Sequence, residues 1–258
     1  MIQIHHLSVA IAEKSILRNI SLDIPEGEVH LLLGPNGGGK TSLLMTLMGY
    51  PEYHVTEGDL SFFGESLLDR DITQRARLGI AVAQQRPPTL NGVRLRSLLD
   101  YLLKDNPQRR DEIGELTKSS GMESFLNRNI NEGLSGGEIK KSELLLLMAG
   151  NPRFALLDEP DSGVDHDSLN LLYSLIQTLF SPDKAHPSRR RTGLIITHSD
   201  QLIQRLHADK AHVMMNGRII CSGNPQLILE KIAVSGFDSC ADCPRHKETA
   251  GEEGKNDG

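Results

Sequence analysis

Apolar residues along the chain fall into short runs separated by longer stretches of helical spacing. Val29 to Leu33 is such a run, the pattern of a strand buried on both faces of a parallel sheet. Gly79 to Ala83, Phe154 to Leu157 and Gly193 to Thr197 have the same character. Alternation over Ile2 to Val9 and Ser21 to Ile24, with Pro25-Glu26-Gly27-Glu28 as a turn, predicts half-buried strands ahead of these. From about residue 88 to 149 the period becomes helical, as in VRLRSLLDYLL and GEIKKSELLLLMA. Leu169, Leu172, Ile176 and Leu179 mark a further helix, and a hairpin through Ile220 closes the pattern. Strands alternating with helices predict an α/β domain with a mostly parallel sheet over residues 1–235. In it, a helical stretch of about 88–149 is inserted between core segments 1–87 and 150–235. Residues 236–258 are polar and glycine-rich and are expected to be disordered.

Composition narrows the function classes. The 258 residues suffice for a core that needs no staples. A formal net charge of -6 argues against a duplex-binding protein, so nucleic acid is not an expected partner. No stretch approaches the roughly 18 consecutive apolar residues of a membrane span. The N-terminal MIQIHHLSVAIAEKS has neither a basic start nor a cleavage site. Cys221, Cys240 and Cys243 make no disulfide framework. A cytoplasmic protein without a membrane span is the expectation.

The most specific motif is Gly34-Pro35-Asn36-Gly37-Gly38-Gly39-Lys40-Thr41, which matches G-x-x-x-x-G-K-[ST]. It follows an expected strand and opens a helix at Ser42, the context that makes it a P-loop. Its glycines let backbone N–H groups converge on phosphates at a helix N-terminus. Lys40 is expected to neutralise the β- and γ-phosphates of ATP, and the Thr41 hydroxyl to coordinate Mg2+. A second motif, Phe154-Ala155-Leu156-Leu157-Asp158-Glu159, delivers two carboxylates at the C-terminal end of a buried strand, where ligands bind in open α/β sheets. Asp158 is expected to hold Mg2+ and Glu159 to polarise the attacking water. By itself an apolar strand ending in acids is common; about one hundred residues after a P-loop it is informative.

A third motif, Leu134-Ser135-Gly136-Gly137-Glu138, would alone be an N-cap leading a helix. Placed between the other two, it resembles the signature of ATP-binding-cassette (ABC) ATPases. The resemblance implies a P-loop NTPase core with a mostly parallel sheet, an N-terminal antiparallel β-subdomain and an inserted helical subdomain. It further implies a head-to-tail dimer in which Ser135, Gly136 and Gly137 cap the ATP of the other protomer. Gln85, preferred to Gln84 from the register of the following R-P-P-T-L-N-G-V, looks like the Q-loop glutamine that senses Mg2+ and water. Ser162-Gly163-Val164-Asp165 looks like the D-loop, and His198 like the switch histidine that contacts the γ-phosphate. Where the family often stacks adenine on an aromatic residue, this chain has Ile11, which implies modest affinity and weak base discrimination.

Narrower segments are similar to SufC, the ATPase of the Suf machinery for iron–sulfur cluster assembly. Gly49-Tyr50-Pro51-Glu52-Tyr53-His54-Val55-Thr56-Glu57-Gly58 follows its G-x-P-x-Y-x-V-T-E-G segment. Asp161 stands where transporter ATPases commonly carry Thr, Ser or Phe. This resemblance implies a SufB- or SufD-like scaffold as partner. The alternative, the ATPase subunit of a membrane transporter, shares every core motif. A DNA-repair ATPase would need a coiled-coil insertion, and about ninety-five residues without sustained heptads leave no room for it. Two features depart from SufC: the basic loop 181–191, expected to be solvated, and a tail with Cys240, Cys243 and His246, which could ligate zinc or iron.

Overall fold

A computed structural model describes residues 1–104, 108–182 and 190–237. The expected tail disorder, the Cys240, Cys243 and His246 cluster and most of the basic loop 181–191 lie outside the described residues. Along the chain, strands β1 (Ile2–Ile11), β2 (Lys14–Ile24) and β3 (Val29–Leu33) precede helix α1 (Lys40–Met48). Strands β4 (His54–Phe62) and β5 (Glu65–Ser66), helix α2 (Ile72–Arg77) and strands β6 (Ile80–Ala83) and β7 (Leu90–Arg94) follow. Next come helices α3 (Leu95–Leu102) and α4 (Gln108–Ser119), strand β8 (Asn129–Ile130) and helix α5 (Gly136–Gly150). Strand β9 (Phe154–Asp158), helix α6 (His166–Phe180), strand β10 (Thr192–Ile196) and helix α7 (Asp200–Arg205) complete this stretch. The described chain ends with β11 (Lys210–Met215), β12 (Arg218–Gly223) and α8 (Pro225–Ser235).

These elements form two compact units, Met1–Arg75 with Ala208–Gly258, and Ala76–His207. In the first, an antiparallel sheet has the order β2-β1-β4-β5. The β1–β2 hairpin is longer than the apolar alternation predicts; its turn at Ala12 and Glu13, which holds Ala12 at φ 51°, lacks the Gly or Asn that usually marks such a turn in sequence. Register shifts on either side of Leu7 break the alternation within β1. Cβ atoms from Ile2, Ile4, Leu7, Leu17, Ile20 and Ile24 are nonetheless fully buried. In the same unit β3 runs parallel to β11, which pairs antiparallel with β12. All five residues of β3 are buried, which fits its apolar run.

In the second unit β9 is flanked by β6 and β10, both parallel to it. Phe154, Ala155, Leu156 and Leu157 are completely buried. Each large side chain so buried stabilises the fold by roughly 1.5–3 kcal/mol. Helix α5 carries a capping box at its start, Ser135 accepting from the Glu138 amide while Glu138 accepts from the Ser135 amide. It stops at Asn151, in the left-handed conformation, ahead of Pro152. The stretch read as helical from about residue 88 is corrected at both β7 and β8, which pair antiparallel. Gly92 at φ 83° and the extended Arg94 prevent the helix from starting before Leu95, so VRLRSLLDYLL is a strand end joined to a helix.

Candidate functional site

In the first unit the loop 34–39 leaves β3 and enters α1. Gly34, at φ 145°, approaches the backbone so closely that a Cβ would lie 2.0 Å from the Met214 carbonyl oxygen. Gly39, at φ 105°, occupies the N-cap position of α1, and no side chain caps that end. A loop that brings backbone amides to a helix N-terminus is the arrangement that binds phosphate. The loop is braced from β11 and its turn, the Gly217 amide donating to the Gly38 carbonyl at 2.9 Å. Lys40 is only 6% exposed, and its Nζ donates to the carbonyls of Gly34 at 2.7 Å and Pro35 at 2.9 Å. Asn36, Gly37 and Thr41 are exposed, while Pro35 and Ser42 are half-buried. Ile11 sits at the end of β1, also half-buried.

The second unit gathers four predicted residues. Asp158 ends β9 and is 2% exposed. Glu159 follows in the left-handed conformation, φ 45°, with its amide donating to the Ile196 carbonyl at 3.0 Å. This bend turns its carboxylate toward neighbours from the loops after β6 and β10. Gln85 Nε2 donates to Glu159 Oε2 at 2.5 Å, and His198 Nε2 lies 3.6 Å from Glu159 Oε1. Gln84 contributes a backbone carbonyl to this region.

Ser135 and Gly136 are exposed at the start of α5, with Gly137 buried behind them. A Cβ on Gly136 would meet the Gly163 carbonyl oxygen at 2.3 Å, so the signature and the 162–165 segment are in direct backbone contact. Asp165 caps α6, accepting from the Ser168 amide at 2.9 Å, and hydrogen bonds from Ser168 hold its carboxyl below the usual range.

Motif reading missed Lys140. Its Nζ donates to the carbonyls of Gln84 at 3.0 Å and Gln85 at 2.8 Å and so holds the backbone that presents Gln85. Burial depresses its pKa and raises that of Glu143 one turn along α5. The signal was in the sequence: Lys140 falls on the buried stripe of α5 with Gly137 and Leu144, where a lysine needs acceptors.

Comparison with protein-family models matches residues 17–162 to the ABC transporter model. The chain belongs to the ABC transporter ATPase family. The match spans the P-loop, Gln85, the signature and both carboxylates. This ABC ATPase is 37% identical over 249 residues to a probable ABC transporter ATP-binding protein of Streptococcus pyogenes serotype M18, covering 92% of this chain and 94% of the relative. It is 35% identical over 253 residues to the probable ATP-dependent transporter ycf16 of Cyanophora paradoxa, covering 92% and 93%. To vegetative protein 296 of Bacillus subtilis it is 35% identical over 245 residues, 91% of each chain. Its fold matches the post-hydrolysis ATP-binding cassette MJ0796 bound to ADP and Pi with a TM-score of 0.72 at 20% identity, covering 87% of this chain and 99% of that one. A nucleotide-free cassette from an ABC transporter gives the same TM-score at 21% identity, covering 91% and 95%. The fold is thus the α/β ABC cassette with an antiparallel N-terminal sheet. No helix among the described residues is long and apolar enough to cross a membrane.

Proposed function

We propose that this ABC ATPase binds Mg-ATP and hydrolyses it as one half of a head-to-tail dimer on the cytoplasmic side, driving motion in a separate partner. The observation that carries this reading is the meeting of Gln85 and His198 on the carboxylate of Glu159, in a chain whose P-loop leads from β3 into α1. The amides of 34–39 and Lys40 hold the β- and γ-phosphates, and His198 steadies the γ-phosphate. Glu159, held by Gln85, orients the attacking water and accepts its proton as the new P–O bond forms and the bond to ADP breaks. Ser135, Gly136 and Gly137 complete the site of the other protomer, and Asp165 belongs to the segment that meets its counterpart.

Mg2+ suits the donors. Thr41, Asp158 and Gln85 offer hard oxygen atoms. Mg2+ would supply neutralisation of the phosphate oxygens; the chain supplies position.

Two partners fit. The names of the relatives support a membrane transporter. The similarity of segment 49–58 to the corresponding segment of SufC supports a SufB- or SufD-like scaffold. Purifying the tagged chain with its bound proteins, with and without detergent, separates them. A polytopic membrane protein recovered only with detergent assigns transport, and a β-rich protein carrying an iron–sulfur chromophore assigns cluster assembly. In either case Glu159→Gln keeps ATP binding and lowers turnover by about 10²–10⁴-fold; unchanged turnover refutes the catalytic assignment.

A further inference from the structure

A hydrogen-bonded bridge lies beside the carboxylate cluster, built from residues to which the proposed chemistry gives no role. Tyr173, on α6, is 1% exposed, yet its phenol finds two polar partners. One is Asp161 Oδ2 at 3.1 Å and the other Ser199 Oγ at 2.9 Å. Donor directions follow from the chemistry. An ionised carboxylate only accepts, so the phenol donates to Asp161 and its oxygen is left to accept from the Ser199 hydroxyl. Ser199 Oγ in turn accepts from the Leu202 amide, capping α7.

The two ends of this bridge matter because of their neighbours. Asp161 is two residues beyond Glu159, and Ser199 immediately follows His198. The phenol therefore ties the loop after β9 to the loop after β10. Those loops carry the 3.6 Å pair of His198 and Glu159. The guanidinium of Arg205 lies 5.3 Å over the Tyr173 ring and packs against the same side chain. The strand registers fix only where the two loops begin. Past the strand ends, the Glu159 amide bond to Ile196 and this bridge both hold them together.

We infer that Tyr173 is a positioning residue for hydrolysis, holding the His198 loop in register with Glu159 through Asp161 and Ser199. This rests on the ATPase reading above. Tyr173→Phe keeps the buried ring and removes only the hydroxyl. It is expected to lower kcat by roughly ten-fold, with the KM for ATP changed by less than about two-fold, because misplacing a reacting group costs rate rather than ground-state binding. In a His198→Ala background the same substitution should cause no further loss, since residues that act as a unit are not additive. Hydrogen exchange over residues 197–200 should quicken in Tyr173→Phe, a reading independent of turnover. Full kcat in Tyr173→Phe alongside an impaired His198→Ala overturns the bridge and leaves the ATPase reading standing. A loss that persists undiminished in His198→Ala also overturns it, because the phenol would then act through another group. Absence of hydrolysis above the Glu159→Gln level in the unaltered chain, with faster exchange still seen in Tyr173→Phe, overturns the ATPase reading and keeps the bridge as structure only. Should Tyr173→Phe fail to fold, Ser199→Ala at the half-buried end of the bridge carries the same comparison.

Discussion

At the scale of residues, a few side chains sit where ordinary propensity would not put them. Glu159 is a non-glycine residue in the left-handed region, a conformation that costs of order 1 kcal/mol and persists only where surroundings impose it. Here a backbone bond to β10 and a side-chain bond from Gln85 do so. Lys40 is buried with its ammonium on two loop carbonyls, ready to exchange them for phosphate oxygens. Lys40→Met should therefore weaken Mg-ATP binding by at least about ten-fold, since a charge-assisted bond contributes some 1.5–3 kcal/mol; calorimetric titration with ATP checks this. Ile11 in place of an aromatic residue predicts that GTP binds within a few-fold of ATP. A marked preference for ATP in competition binding would show that other contacts read the base.

At the scale of elements, two devices set behaviour. The first is the backbone contact of Gly136 with Gly163. Gly136→Val must push the signature off the 162–165 segment. ATP binding by the P-loop should survive, while cooperative hydrolysis falls by about 10²-fold or more if the signature completes the partner's site; parallel binding and turnover measurements test it. The second is a hydrogen-bonded chain across β3, β11 and β12, buried at its two histidines. Glu28 bonds His30 at 2.8 Å, His30 bonds His212 at 2.9 Å, and His212 bonds Ser222 at 2.7 Å. Burial, with the neighbouring His30 adding to it, pushes His212 down to about 3, and burial also lowers His30. Both rings are neutral in the folded state near pH 7. Below pH 6.5 the unfolded chain binds protons that the folded chain refuses. Stability is then complete above about pH 6.5 and declines as pH falls toward 3, by up to about 1.4 kcal/mol per pH unit for His212, with His30 acting in the same direction. Urea unfolding from pH 8 to 5 should show this slope, and His212→Gln should flatten it.

At the scale of the whole molecule, the proposed chemistry calls for two copies of the chain, because in it the signature serves the nucleotide of the other protomer. Glu159→Gln, which holds ATP without turnover, should shift the chain from monomer to dimer on addition of Mg-ATP, read by light scattering. Bound nucleotide should also raise the unfolding midpoint, as any ligand selective for the folded state does, by about 2.7 kcal/mol of stability at one hundred times its Kd. Persistence as a monomer under saturating Mg-ATP would mean that a partner is needed to bring the two copies together.

Much of this was legible from residues alone. Apolar runs marked β3, β9 and β10 because a strand buried on both faces cannot hide its composition, whereas β6, marked by a similar run, is only half-buried at Ala81 and Val82; the glycine, lysine and carboxylate motifs sit at the strand ends that such runs predict. The β1–β2 hairpin extent and the β7–β8 pair were not legible, since a turn at Ala12 without glycine and an exposed strand at Leu90–Arg94 leave no periodic trace. The identity of the chemistry was thus local information, carried by residue type and spacing. Only tertiary structure decided that Lys140 serves the backbone of Gln84 and Gln85, that Gly136 rests on Gly163, and that Tyr173 joins two loops distant in sequence. Each of those depends on which side chain a packed neighbour leaves as the nearest acceptor, and no periodicity along the chain encodes that.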